Sequence, residues 1–114
     1  MSFNGTWAKI VGVVLLLVGI LGFFMGDTVF GFGVNSLHNI VHLVSGVILL
    51  WAGFASAGAN AKTANIVFGI VYLVVAIVGF MNVASLVDML ALNGSDNWLH
   101  LIIGVVTTAI GLWA

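Results

Sequence analysis

Residues 35–46 read Asn-Ser-Leu-His-Asn-Ile-Val-His-Leu-Val-Ser-Gly, and residues 93–104 read Asn-Gly-Ser-Asp-Asn-Trp-Leu-His-Leu-Ile-Ile-Gly. Both stretches follow the pattern N-x-x-x-N-x-x-H-L-x-x-G and lead into a strongly apolar run. Steps of four, three and four residues place the fixed positions on one face of a helix. These positions are Asn35, Asn39, His42 and Gly46 in the first copy and Asn93, Asn97, His100 and Gly104 in the second. Two apolar helices, each with one polar stripe, are therefore predicted, and Asn35 and Asn93 stand where the N-cap of each helix belongs.

The composition indicates a membrane protein. The chain has 114 residues, of which 63% are hydrophobic and 4% are charged. Soluble domains carry about 25% charged residues, so this chain has too few charges to cover a surface that faces water. We predict a single transmembrane domain over residues 1–114. A nucleic-acid interface is excluded, because the chain has only two basic residues and such interfaces need clustered Lys and Arg.

The same inventory argues against catalysis. No cysteine is present, so disulfides and thiolate metal sites are impossible. No glutamate is present, and the three aspartates fall in or beside predicted loops. Because no nucleophile, base and orienting group can be assembled from these residues, we expect no enzymatic activity.

Four apolar segments are predicted to span a bilayer, at about 1.5 Å of helix per residue. They cover residues 7–25, 36–54, 64–81 and 96–113. No small-x-small cleavage site follows Phe24, so the first segment is expected to be a retained helix and not a signal peptide.

The connecting segments have distinct compositions. Residues 26–34 form a glycine-rich, partly apolar turn that is expected at the interface, and residues 55–62 form a short loop facing water. Apolar residues recur at helical spacing over residues 83–90, so this part is predicted either as a short amphipathic helix on the membrane or as a continuation of the third helix.

The chain matches itself, which predicts a duplication. A shift of 57 positions aligns the first segment with the third, and a shift of 58 aligns the second with the fourth. Repeat one covers about residues 7–55 and repeat two about residues 64–113. Each repeat has two spans, so both enter the membrane in the same sense. The predicted fold is therefore all-α, an integral membrane four-helix bundle whose halves are related by a pseudo-two-fold axis along the membrane normal.

Small residues predict how the helices pack. Gly12 and Gly19 in the first segment, and Gly69 and Ala76 in the third, are seven residues apart. Small residues at this spacing let membrane helices approach closely in a left-handed bundle. The polar stripes are therefore predicted to face the bundle interior.

The paired Asn-x-x-His-Leu motifs, at residues 39–43 and 97–101, resemble a bacterial membrane family known as the domain of unknown function numbered 4383. The resemblance spans nearly the whole chain and implies four short helices in a membrane, with no activity attached. The expected location is the prokaryotic inner (plasma) membrane. Lys9 and Lys62 fall on the same side of a four-span topology as both termini, so the positive-inside rule places the termini in the cytoplasm.

His42 and His100 allow two interpretations. Each can be a neutral histidine that hydrogen-bonds Asn39, Asn97 or a facing helix, or each can be an axial ligand of haem or a chlorophyll-type pigment. A glycine one turn after each histidine would leave room for the edge of a macrocycle. His38 and His42, at i and i+4, could chelate a metal, but Asp96 replaces His38 in the second repeat, so no metal site is predicted.

Three functions follow from these observations. The first is a structural or accessory membrane protein that packs with itself or with a larger membrane complex, in contact with the lipid bilayer. The second is a cofactor-binding subunit that uses His42 and His100. The third is a small-solute or proton pathway along the Asn/His stripe.

Overall fold

Most of the chain is helical in a computed structural model, which describes residues 2–114. Four α-helices of 19 or 20 residues and one of seven lie in this range. They are α1 (Phe3–Gly22), α2 (Ser36–Phe54), α3 (Ala61–Phe80), α4 (Ala84–Leu90) and α5 (Gly94–Trp113). Each of the four predicted apolar segments therefore corresponds to one long helix, and the predicted limits of the second segment match α2.

The start of α1 lies before the predicted segment because of a capping residue. The Ser2 hydroxyl accepts a hydrogen bond of 3.1 Å from the backbone N–H of Gly5. A serine in this position satisfies one of the donors that a helix start leaves free. The apolar run itself begins at Trp7, so hydropathy alone predicts a later start than the capped helix has.

A short β-hairpin replaces the turn predicted between the first two long helices. Strands β1 (Thr28–Val29) and β2 (Phe32–Gly33) pair antiparallel. Both turn residues between them, Phe30 and Gly31, have positive φ angles, as tight hairpins with right-handed strand twist require. Strands of two residues are too short to show alternating hydropathy, so hydropathy does not reveal them.

The segment after α3 forms a separate short helix, and the alternative that it continues the third helix is wrong. Asn82 has a φ of 53°, which breaks the helical path, and α4 then begins at Ala84. On the other side of the molecule, α2 leads through a 3-10 helix, Ala55–Gly58, in which Ser56 and Ala57 adopt left-handed conformations.

The long helices pack in two close pairs, α1 with α2 and α3 with α5. Glycines sit where the backbones meet. A Cβ on Gly46 would lie 2.7 Å from Leu16 N and 2.8 Å from Gly12 O, and a Cβ on Gly104 would lie 2.7 Å from Leu73 N. Since these neighbours are backbone atoms, any side chain here would force the helices apart. In the polar stripes that contain these glycines, the residues Asn39, His42, Gly46, His100 and Gly104 are buried, whereas Asn35, Asn93 and Asn97 are half-buried.

Polar side chains occupy much of the interior, whereas large apolar side chains cover the outside. Each long helix exposes large hydrophobic residues, among them Val47 (55% exposed) and Val105 (49%). The buried polar residues are Asn4, His38, Asn39, His42, Ser45, Asn65, Asp96, His100 and Thr107. This distribution is the reverse of that in a water-soluble domain.

Three helical segments are long and apolar enough to cross a membrane, namely Phe3–Gly22, Ser36–Gly58 and Ala61–Phe80. The fourth long helix, α5, also has 20 residues, but its first turns carry Asp96, Asn97 and His100, which lower its hydropathy. The chain thus has the composition and helix lengths of a membrane protein, with three spans supported by hydropathy instead of the four predicted.

Candidate functional site

All three histidines of the chain meet in the interior. The ring centroids of His38 and His42 are 4.4 Å apart, those of His38 and His100 are 5.5 Å apart, and those of His42 and His100 are 6.2 Å apart. No histidine in this cluster is more than 4% exposed. One nitrogen from each ring lies within 4.8 Å of the other two. We call these three residues the histidine cluster.

The cluster joins the two helix pairs. His38 and His42 are one turn apart in α2, so their side chains lie on the same face of that helix. His100 comes from α5, which belongs to the other pair. The pairing of His42 with His100 matches the prediction that both stripes face the interior, and the sequence pattern did not anticipate that His38 joins them.

A backbone carbonyl fixes the tautomer of His38. Its Nδ1 lies 2.9 Å from the carbonyl oxygen of Leu90, at the end of α4. A carbonyl can only accept, so Nδ1 carries the proton and Nε2 carries the lone pair. That Nε2 is buried and makes no hydrogen bond of standard geometry, although the ring also lies near the backbone of Gly33.

The other two rings also have unsatisfied nitrogens. Nδ1 of His42 and Nδ1 of His100 are buried without a hydrogen-bond partner. Buried polar atoms almost always have a partner, and an unpaired one costs about 1–3 kcal/mol. Each ring of the histidine cluster therefore has one buried nitrogen without a hydrogen-bond partner within residues 2–114.

Tyr72 of α3 closes one side of the cluster. Its ring centroid is 5.5 Å from that of His100 and 6.4 Å from that of His42, to which it is nearly parallel. The Tyr72 hydroxyl lies beside Ser45 but makes no hydrogen bond of standard geometry. Sequence reasoning missed Tyr72, which is the only tyrosine in the chain, and that rarity was the available signal.

Asn35 and Asn93 are the N-caps of α2 and α5, as their position before the apolar runs indicated. The Asn35 side chain accepts a hydrogen bond from the backbone N–H of His38 (2.9 Å). Each cap also reaches the opposite repeat, since Asn35 Nδ2 donates to Met89 O (2.8 Å) and Asn93 Nδ2 donates to Gly31 O (3.0 Å). We call these two crossing bonds the asparagine clasp.

Asp96 lies in the first turn of α5 and is 1% exposed. Its carboxylate accepts a hydrogen bond of 3.0 Å from the backbone N–H of Asn93, while the Asn93 side chain accepts one from the backbone N–H of Asp96. This reciprocal arrangement is a capping box, which satisfies two donors at a helix start. Asp96 occupies the position of His38 in the repeat alignment but does not belong to the histidine cluster.

Asn39 and Asn97 pack against glycines of the neighbouring helices and do not bond the histidines through their carbonyl oxygens. Asn39 sits against Gly22, and Asn97 sits against Gly79. The Oδ1 atoms of both asparagines are buried without a partner, as is Nδ1 of each following histidine. The asparagine oxygens therefore do not accept hydrogen bonds from these histidine nitrogens, as they would if each histidine were held by its neighbouring asparagine.

A family model described as Domain of unknown function (DUF4383) matches residues 6–113. The chain belongs to this family. No curated protein and no solved structure matches it. Family membership agrees with the resemblance carried by the paired Asn-x-x-His-Leu motifs and assigns no activity to the DUF4383 chain.

The glycines after the histidines do not leave room for a macrocycle in this DUF4383 chain, and that expectation is wrong. Gly46 is filled by the backbone of α1 at Leu16, and Gly104 by the backbone of α3 at Leu73. No pocket opens anywhere in residues 2–114. The rings of His42 and His100 lie 6.2 Å apart at an angle of 65°, and the rings of His38 and Tyr72 pack against them.

The opposite end of the molecule carries a second set of polar contacts. Asn65 Nδ2 donates to Asn4 Oδ1 (2.9 Å), and Asn4 Nδ2 donates to the carbonyl of Ala114 (3.2 Å). Trp7 Nε1 donates to Thr107 Oγ1 (3.0 Å). These bonds join α1 to α3 and to α5, so polar side chains hold the two helix pairs together at both ends.

The asparagine clasp gives a first testable prediction. Asn35→Ala removes both the cap and the bond to Met89, and we expect it to lower the free energy of unfolding by about 2 kcal/mol. Asn35→Ser keeps a capping oxygen but cannot reach Met89, so its loss should be about half as large. Unfolding in a mixed-detergent titration measures both, and equal stability of Asn35→Ala and the wild type would contradict the assignment.

Proposed function

We propose that the chain is an integral membrane protein that crosses the bilayer four times and is built from two tandem two-helix repeats. The support for a fourth span is the packing of α5, which runs along α3 as α1 runs along α2. Its polar residues are turned inward, since Asp96 and His100 are at most 2% exposed, while Val105 and Trp98 face outward. A helix with buried polar groups and an apolar outer face suits a span that neighbouring helices shield.

Matching contacts support the duplication. Asn39 packs on Gly22 as Asn97 packs on Gly79, and these positions correspond at shifts of 58 and 57. The asparagine clasp shows the same symmetry. Its two donors, Asn35 and Asn93, are 58 positions apart, and its two acceptors, residues 31 and 89, are also 58 positions apart. Reciprocal contacts of this kind are what a two-fold axis along the membrane normal produces.

The proposed location is the prokaryotic inner (plasma) membrane with both termini in the cytoplasm. The contact of Asn4 with Ala114 brings the two ends of the chain together. Lys62 donates to the carbonyl of Gly111, so it belongs to the same end. Asp27 and Asp88 lie in the connections at the other end. This distribution of positive charge supports a cytoplasmic position for the termini.

We propose a structural or accessory role for this tetraspan protein, which would pack with copies of itself or with a larger membrane complex. The supporting observation is the outer surface, on which large apolar side chains are exposed along all four long helices. The glycine stripes are already used within the chain, so an association would use these outer apolar faces. Catalysis is not part of the proposal.

Association can be tested by native mass spectrometry of protein released from mild detergent and, in parallel, from lipid nanodiscs. We expect a discrete oligomer or a complex with a second membrane protein in both media. A strict monomer in both, with no partner retained, would overturn the proposed role. Ile102→Ala, which shortens an outward side chain on α5, serves as a variant that keeps the fold while altering that surface.

Two other functions remain predictions. For the haem or chlorophyll-type alternative, the favourable observation is that His42 and His100 lie close together, with ring centroids 6.2 Å apart, and the filled glycine positions oppose it. An absorption spectrum before and after dithionite tests it, since a Soret or long-wavelength band must appear. For the solute or proton pathway, flux into proteoliposomes must exceed that into empty vesicles.

A further inference from the structure

We propose that His38, His42 and His100 bind one divalent first-row transition-metal ion, such as Zn²⁺. This goes beyond the proposed accessory role and does not depend on it. The site would lie between the two helix pairs, with two ligands from α2 and one from α5.

The donor set determines the class of ion. It consists of three imidazoles, each with a buried nitrogen that has no partner, and no carboxylate or thiolate belongs to the group. Imidazole suits Zn²⁺, Cu²⁺, Ni²⁺ and Fe²⁺, whereas Mg²⁺ and Ca²⁺ require oxygen ligands. The histidine cluster therefore favours a first-row transition ion and excludes the hard cations.

The distances allow coordination after small side-chain movements. The nearest set of ring nitrogens lies within 4.8 Å of one another. Tetrahedral Zn²⁺ with Zn–N bonds of about 2.0–2.1 Å places its nitrogen ligands about 3.3 Å apart. The donors therefore need to approach by up to about 1.5 Å to reach this geometry.

His38 already has the second contact that metal-binding histidines usually show. Its Nδ1–H donates to the Leu90 carbonyl, which leaves Nε2 free to bind the ion. A hydrogen bond of this kind fixes the tautomer, orients the ring and raises its basicity as a ligand. The short helix α4 has no buried residue. Its last residue, Leu90, would hold the metal ligand His38 in position.

Three protein ligands leave one tetrahedral position open, as in zinc sites that hold a water molecule. Tyr72 lies against two of the three rings, so its side chain would border the ion. Coordination by three imidazoles and by a fourth ligand such as water or hydroxide would have to offset the cost of burying the dication.

The test is metal content and metal-dependent stability of protein that carries no polyhistidine tag. The chain has no cysteine and only these three histidines, so the cluster contains every imidazole that the chain can offer to zinc. After removal of metal with EDTA and dialysis against ZnSO₄, plasma mass spectrometry should find one zinc per chain. Zinc should also raise the Tm, because it binds only the folded state.

Ligand variants make the test specific. His100→Gln and His42→Gln should each lower zinc affinity at least about tenfold and abolish the zinc-dependent shift in Tm. Thr107→Val, which alters a buried polar residue at the other end of the molecule, should keep both. Mg²⁺ in place of Zn²⁺ should produce no binding and no shift.

Two outcomes overturn the proposal. One is the absence of zinc from the folded wild-type protein after dialysis. The other is zinc retained equally by the triple variant His38→Gln, His42→Gln, His100→Gln, which would mean an adventitious ion only. If the variants fail to fold, X-ray absorption of the zinc-loaded wild type decides, since the site requires nitrogen ligands at about 2.0 Å and a shell of oxygen alone refutes it. A monomer in native mass spectrometry would contradict the proposed accessory role but not the metal site, because zinc binding is measured separately.

Discussion

Gly46→Leu is expected to destabilise the protein by about 3–5 kcal/mol, enough to remove most of the folded population. The space beside Gly46 is filled by backbone atoms of α1, with Leu16 N 2.7 Å from the position of a Cβ. Backbone cannot turn aside as a flexible side chain can, so α1 and α2 must separate along their length. Unfolding in a mixed-detergent titration and the yield of monodisperse protein measure the effect.

Gly104→Leu provides a matched second variant and Gly94→Ala a control. A Cβ on Gly104 would meet Leu73 N at 2.7 Å, so the loss of stability should equal that of Gly46→Leu. Gly94 begins α5 with no atom within 4 Å of its Cβ position, so Gly94→Ala should be neutral or stabilising by up to about 1 kcal/mol. If the two leucine variants were as stable as Gly94→Ala, the close pairing of the helices would be wrong.

Val47→Asp is expected to cost about 2.5–3.5 kcal/mol, the insertion penalty of an aspartate at the centre of a transmembrane helix. Val47 lies midway along α2 and is 55% exposed, so its side chain would face lipid. At an exposed site in water the same change is usually within about 0.5 kcal/mol of neutral. The fraction of chain inserted into membranes during cell-free synthesis measures the penalty.

Val105→Asp tests the same claim for α5. Residue 105 is the counterpart of Val47 at a shift of 58, and it is 49% exposed, so an equal penalty is expected if α5 spans at the same depth. Met89→Asp, on the exposed short helix α4, serves as a control outside the spans and should insert normally. A penalty at Val47 but not at Val105 would mean that α5 does not cross the bilayer.

Features set by local sequence were predictable. The steps of four and three residues located the inward face of α2 and α5, and an asparagine before each apolar run located the two caps. These signals lie within a few residues of the structure that they specify. The long helices could therefore be predicted with small errors at their ends, such as the one at Ser2.

Features set by contacts between repeats were not predictable. His38 has no counterpart in the second repeat, and only the approach of α5 brings His100 to it. The carbonyl of Leu90 that orients His38 has no side-chain signature, and the hairpin at residues 28–33 depends on two backbone conformations. A glycine beside a histidine is equally consistent with space for a ligand and with close helix packing, and only the position of Leu16 decides between them at Gly46.

Cysteine accessibility tests the four-span topology most directly, because the chain has no cysteine of its own. Single cysteines at four exposed positions, Thr28, Ala59, Ser85 and Ala114, are to be labelled with a membrane-impermeant maleimide in intact spheroplasts and in inverted vesicles. We expect labelling of residues 28 and 85 only from outside and of residues 59 and 114 only from the cytoplasmic side. Labelling of residue 114 from the same side as residue 85 would mean that α5 does not cross the membrane, and the proposed four-span duplication would be contradicted.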